Sequence, residues 1–233
     1  MTSNHVSPIA AFFDIDGTLL RATVVHYYFY LRTRNLSAWR KKLWLASYLP
    51  KCLYYLWLDR RDRTAFNRAF YRDYRGLPTT FLQNGALSCV QNYMLPRTFP
   101  GARACVEQHL ADKKRLVFVT GTLVDFARPL AESLGVHDVI APSLEIADGL
   151  FTGVLLPGPL CGSEKSRQIK TYAARHQIDL NRSYAYADSF DDLAMLECVG
   201  FPQTVNPGKK LTAIAKKRNW PIHRWTLDAS SQQ

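Results

Sequence analysis

The chain has 233 residues, 47% of them hydrophobic, and a formal net charge of +11, which suits one large α/β domain or a core with an insert. No apolar run reaches the ~18 residues of a membrane span, and residues 1–7 are polar, without the apolar region of a signal peptide. Five scattered cysteines with no CxxC pair argue against a disulfide framework or a zinc site and for free thiols in a reducing cytoplasm.

Residues 8–15 read as a buried strand. It runs into Phe12-Phe13-Asp14-Ile15-Asp16-Gly17-Thr18-Leu19. Residues 21–95 carry a short apolar run at Val24–Tyr30 and otherwise read as several helices, with breaks expected near Asn35-Leu36-Ser37, at Leu49-Pro50 and at Gly76-Leu77-Pro78. Ser37 and Thr79 are the expected caps. A helix over 101–112 precedes the apolar strand Arg115–Thr120, and a helix over Asp125–Leu134 closes at Gly135. Asp138–Ile140 is a short strand. Leu144–Ile146 and Leu150–Leu155 form a hairpin across Asp148-Gly149. The helix Ser163–Arg175, the strand Ser183–Ala187, the acidic turn Asp188–Asp192 and the helix Leu193–Cys198 follow. Phe201–Val205 is a strand, Pro207–Arg218 a helix, and Pro221–Trp225 an edge strand; the tail from Leu227 is expected to be disordered.

Strands alternating with helices predict a doubly wound parallel sheet. Sites in such sheets lie beyond the carboxyl ends of the strands. Asp14 and Asp16, Thr120, and Asp188 occupy that position on three separate strands. In a strand, residues i and i+2 point the same way, so Asp14 and Asp16 can converge on one site. Carboxylates there suit a hard cation or a covalent nucleophile toward phosphorus; an acidic loop after a core strand also fits. Thr120-Gly121-Thr122, before a helix, fits an anion cradle or an N-cap. Lys165, in the start of a helix, fits a group that neutralises a phosphoryl oxygen or an ordinary surface lysine. Asp188-Ser189-Phe190-Asp191-Asp192 fits a cation site or an acidic helix N-terminus.

Together these four elements resemble the haloacid dehalogenase superfamily of phosphohydrolases, in order, spacing and strand context: Asp14-x-Asp16-Gly17-Thr18, then Thr120, then Lys165, then Asp188-x-x-x-Asp192. The insert after the first strand, and the segment from Ser183 to Asp188-Ser189 and on through Val205-Asn206-Pro207, look like the phosphoserine-phosphatase-like branch. The resemblance implies a Rossmann-like catalytic core over 1–19 and 99–233 and a helical cap over 20–98. It also implies residue roles. Asp14 would attack phosphorus and become an aspartyl phosphate, and Asp16 would serve as general acid and base. Mg²⁺ would be held by the side chains of Asp14 and Asp188 and the backbone carbonyl of Asp16. Asp192 would orient metal-bound water or Lys165. Lys165 would pair with Asp14 and the phosphoryl group, and Thr120 and Gly121 would hold phosphoryl oxygens, with Thr18 and Asp191 as further substrate contacts. A dehalogenase would not need the second acid, Asp16. Three departures stand out. Thr23 replaces the glutamate that binds a substrate amine in close phosphoserine phosphatases, Thr120-Gly121-Thr122 replaces Ser-Gly-Gly, and Ala187 replaces a common glycine.

The expected reaction is hydrolysis of a small metabolite phosphate of the amino-alcohol type. A lipid-phosphate phosphatase at a membrane surface and a non-catalytic binding protein are the alternatives. The insert bears on that choice. Between Arg21 and Arg75 stand 13 bases, three acids and 14 of the chain's 29 aromatics. They fit a cap with an aromatic core and a basic surface, electrostatic steering of anionic substrates, or an anionic membrane surface met by an interfacial helix. Nucleic-acid binding is the weakest reading, since no known fold signature accompanies the charge.

Overall fold

The computed structural model describes residues 7–228. The strands are β1 (Ala10–Phe13), β2 (Arg115–Val119), β3 (Asp138–Ile140), β4 (Ser143–Ala147), β5 (Leu150–Leu156), β6 (Tyr184–Ala187), β7 (Phe201–Val205) and β8 (Ile222–His223). The helices are α1 (Val24–Thr33), α2 (Ala38–Arg61), α3 (Arg63–Tyr71), α4 (Thr80–Gln83), α5 (Ala86–Cys89), α6 (Pro100–Ala111), α7 (Val124–Leu134), α8 (Ser163–His176), α9 (Leu193–Glu197) and α10 (Lys209–Lys217).

Six strands form one parallel sheet in the order β3-β2-β1-β6-β7-β8. The apolar runs of β1, β2 and β6 are buried on both faces, as a covered parallel sheet requires. Side chains alternate between two cores. Ala11, Phe13, Leu116 and Phe118 meet α6 and α7 on one face. Ala10, Phe12, Val117 and Ala185 meet α8, α9 and Leu211 of α10 on the other. The chain runs from β1 through β2 to β3 on one side and later crosses to β6, β7 and β8 on the other, so the switch point where a ligand crevice opens lies at β1. The doubly wound sheet expected from sequence is therefore present. The expected disorder from Leu227 concerns, for residues 229–233, a stretch outside the described part.

The segment between β1 and β2 is helical. Its two ends pair as an antiparallel neck: Leu20 bridges Thr98, Arg21 N–H donates to the Arg97 carbonyl and Phe99 N–H to that of Leu19, both at 2.9 Å. Aromatics form its interior, as in Phe70 edge-on to Tyr55 and Tyr28, and Trp44 stacked on Tyr48 at 5.0 Å. Asp73 is pinned beneath them by the hydroxyls of Tyr48 and Tyr55 and the ammonium of Lys51.

The break expected at Leu49-Pro50 is absent. α2 runs unbroken for 24 residues with Pro50 inside it. A proline removes one backbone bond and crowds the preceding turn. Here Pro50 is exposed, while Trp44, Tyr48 and Tyr55, on the opposite face, anchor the helix on both sides of it. Packing outweighs the local cost.

The hairpin β4–β5, which follows the core strand β3, lies against the insert. Gly76 N–H donates to the Phe151 carbonyl, Phe151 N–H to Leu77 and Thr79 N–H to Gly149. Gly153 has φ +81°, and a β-carbon there would come within 2.9 Å of the Arg72 backbone. Only glycine lets the two chains touch at this point.

Candidate active site

The site is built at the carboxyl ends of β1 and β6. β1 ends by donating Asp14 N–H to the Tyr186 carbonyl at 3.0 Å, which fixes Asp14 over the sheet edge. The chain then turns at Gly17, φ +84°, where a β-carbon would stand 2.3 Å from a carboxylate oxygen of Asp188. Glycine is required here both for the turn and for the approach of Asp188.

Lys165, in the first turn of α8, is buried among carboxylates. Its Nζ donates to Asp14 Oδ1 at 2.6 Å and to Asp192 Oδ1 at 2.7 Å. Thr18 Oγ1 lies 3.3 Å from Asp14 Oδ2 and 3.2 Å from Asp188 Oδ1. Ser189 Oγ donates to the other oxygen of Asp192 at 3.2 Å. Carboxylate oxygens of Asp14, Asp188 and Asp192 lie within 4.8 Å of one another. The Asp16 carboxylate faces elsewhere: one oxygen accepts from Tyr27 and the other from Thr122, both at 2.5 Å.

Burial and mutual repulsion govern the charges. Desolvation pushes Asp14 up to about 6 despite the opposing pull of Lys165. Burial, then the charges of Asp14 and Asp192, push Asp188 well above the carboxylate range. Asp16 is also raised by burial, against the bonds from Thr122 and Tyr27. Three acids, Asp14, Asp188 and Asp192, thus cluster around one ammonium, with Asp16 nearby. A low-dielectric site with excess negative charge needs a cation. The donor set is all oxygen and suits Mg²⁺, so the residues present fit a divalent ion between Asp14, Asp188 and Asp192.

A cavity of about 140 Å³ opens above these groups, lined among others by Asp14, Asp16, Gly121, Lys165, Asp188 and Asp192, with Asp191 exposed at its rim. Arg63 and Asn67 of α3 reach it from the insert, and Arg63 pairs with Asp59. A more open groove of about 630 Å³ passes Arg21, His26 and Trp225 but holds none of the carboxylates.

The structure brings together Asp14, Asp16, Gly121, Lys165, Asp188, Asp191 and Asp192. Thr18 and Thr120, expected at the substrate, are fully buried and lie outside the cavity lining. Thr18 ties two carboxylates together, and the Thr120 hydroxyl accepts from Thr122 N–H at 3.1 Å, shaping the Gly121 loop. Of the expected metal set, only Asp16 has its side chain turned away from the cluster. Sequence reasoning missed Tyr27, Thr122, Arg63 and Asn67. Thr122 stood within the motif already singled out, whereas Tyr27 carried no local signal.

The chain also matches known proteins. The model of the haloacid dehalogenase-like hydrolases matches residues 11–197. The chain belongs to that family. Within it, the chain is similar to proteins named as phosphatases. It is 28% identical over 219 residues to the Mycobacterium tuberculosis protein named phosphoserine phosphatase SerB1, covering 94% of this chain and 71% of that one. It is 25% identical to a Neisseria meningitidis histidinol-phosphatase, covering 91% and 96%. A solved structure of a phosphoserine phosphatase as a phospho-aspartyl intermediate analogue superposes with a TM-score of 0.68 at 16% identity, covering 94% and 93%. A Bordetella pertussis protein of unknown function superposes at 0.79 and 23%, covering 96% and 100%.

Proposed function

We propose that this phosphatase hydrolyses phosphomonoesters through an aspartyl phosphate on Asp14, with Mg²⁺. The carrying observation is the buried Lys165 bonded at once to Asp14 and Asp192, beside Asp188. Bound Mg²⁺ would be held by Asp14, Asp188 and the Asp16 carbonyl, with Asp192 beside it, and would neutralise phosphoryl charge. Lys165 lowers the proton affinity of Asp14 and keeps it ionised as a nucleophile. Asp14 attacks phosphorus as the ester oxygen leaves. Asp16, whose proton affinity burial raises, gives that oxygen its proton and later takes one from the water that cleaves the aspartyl phosphate. The Gly121 loop and Arg63 receive phosphoryl oxygens, and residues 20–98 act as the cap that excludes water.

The relatives' names support an amino-alcohol phosphate as the leaving-group class, while Thr23 offers no carboxylate to a substrate amine. Phosphate release across a panel of phosphoserine, histidinol phosphate, sugar phosphates and nucleotides, with Mg²⁺ or EDTA, tests the reading. Release that needs Mg²⁺ is expected; equal release in EDTA would overturn it.

Tyr27 offers a finer check. Its hydroxyl bond favours the ionised form of Asp16. Tyr27→Phe therefore raises the Asp16 pKa, moves the alkaline limb of the pH–rate profile upward, and lowers kcat by about tenfold, the worth of one charged hydrogen bond. An unmoved alkaline limb would remove Asp16 from the acid role.

A further inference from the structure

The hydrolysis chemistry leaves two features of the insert unused. The first is a slot of about 250 Å³, lined by Val24, Val25, Cys52, Tyr55, Leu56 and Phe66. It shares Thr23, Val24 and Arg63 with the catalytic cavity, so it begins where a leaving group would emerge from the phosphoryl site. Its polar members pair among themselves, Asp59 with Arg63 and Thr23 with His26. A polyol or amino-alcohol would find few partners along such a wall, and hydrocarbon needs none.

The second is the outer face of α2. At 100° per residue, Trp39, Leu43, Leu49, Leu53, Leu56 and Trp57 share one arc, opposite the face that packs inward through Trp44, Tyr48 and Tyr55. All six are exposed; Leu53 and Trp39 reach 60%. Exposed apolar runs of this kind mark an interaction surface. Arg40, Lys41, Lys42, Arg60 and Arg61 flank them, and the helix's single acid, Asp59, is already paired. The guanidinium of Arg40 lies over Trp39 and that of Arg61 over Trp57. Leu56 belongs to both features, so the lip of the slot opens into this face.

We propose that the substrate is a phosphomonoester with a hydrocarbon leaving group, drawn from an anionic lipid surface on which the outer face of α2 rests. This rests on the phosphomonoesterase reading and puts a hydrocarbon leaving group in place of the amino-alcohol that the relatives' names suggest. A second copy of the chain is a poorer occupant, because it would set like charges against like at both ends of the stripe. An anionic bilayer meets both demands, accepting tryptophan and leucine below its headgroups and pairing the bases with them.

Two measurements test it. Turnover of soluble n-alkyl phosphates is expected to rise about threefold to fourfold in kcat/KM per methylene, the worth of burying one. A series flat in chain length, with p-nitrophenyl phosphate still hydrolysed, overturns this proposal alone; failure on p-nitrophenyl phosphate as well overturns the hydrolase reading beneath it. In sedimentation at low salt, the full chain is expected to bind vesicles of phosphatidylglycerol and phosphatidylcholine and not phosphatidylcholine alone. Leu53→Glu should lose that binding with an unchanged melting temperature, since the site is solvent-facing. No binding by the parent, equal binding by the variant, or a concentration-dependent dimer in place of vesicle binding would each overturn the proposal.

Discussion

Replacing Asp14 by asparagine is expected to abolish turnover, with kcat and kcat/KM falling together by at least about a thousandfold, roughly 4 kcal/mol of barrier. The amide matches the carboxylate in shape, so packing at the end of β1 is preserved. It cannot attack phosphorus as an anion, and Lys165 keeps its partner Asp192 at 2.7 Å. Steady-state rates with Mg²⁺ and a circular-dichroism melt check this. A folded variant within tenfold of the parent would end the covalent mechanism. The same residue sets an acid limb. Burial raises Asp14 to about 6 when no cation is bound; bound Mg²⁺ would lower it, so the acid limb of Mg²⁺-dependent turnover is expected below that value.

Asp188→Asn separates function from stability. Burial and the charges of Asp14 and Asp192 raise the proton affinity of Asp188. A carboxyl with a raised native pKa binds more protons folded than unfolded. Native stability therefore rises as pH falls through the raised value and is lowest where the cluster is fully ionised. Removing one charge should raise the melting temperature in EDTA at pH 8 by a few degrees, about what 1 kcal/mol yields for a chain this size. In the parent, Mg²⁺ at a hundred times its dissociation constant adds about 2.7 kcal/mol, and this gain should shrink at pH 5.5, where protons compete for the same oxygens. The variant should lose most of that gain and about a hundredfold or more in rate. Scanning calorimetry with Mg²⁺ or EDTA at both pH values decides it. Equal stabilisation of the variant by Mg²⁺ would take Asp188 out of the metal site.

The parts legible in the sequence were those whose signal is local. An apolar run buried on both faces, ending in a polar residue, marks a parallel strand and the site edge of the sheet together, and Asp14 and Asp188 follow from that. Depth was not legible. Thr18 and Thr120 stand in the right loops, yet their hydroxyls are spent on Asp14, Asp188 and the Thr122 amide. Nor were contacts that only the folded insert creates: Tyr27 lies eleven residues after Asp16 in sequence, and Arg63 arrives on a helix whose orientation no local pattern records. Pro50 misled for a related reason, because its cost is local while the aromatic packing that overrides it is not.

The hairpin β4–β5 changes what the insert can do mechanically. A lid on two covalent strands swings freely about its neck. Here a third leg, the backbone bonds from Gly76, Leu77 and Thr79, fastens the lid to a hairpin. Six residues after that hairpin ends, the chain enters α8, whose first turn carries Lys165. Any outward movement of the insert would therefore pull on the segment that sets the ammonium against Asp14, through the contact at which Gly153 meets the backbone of Arg72.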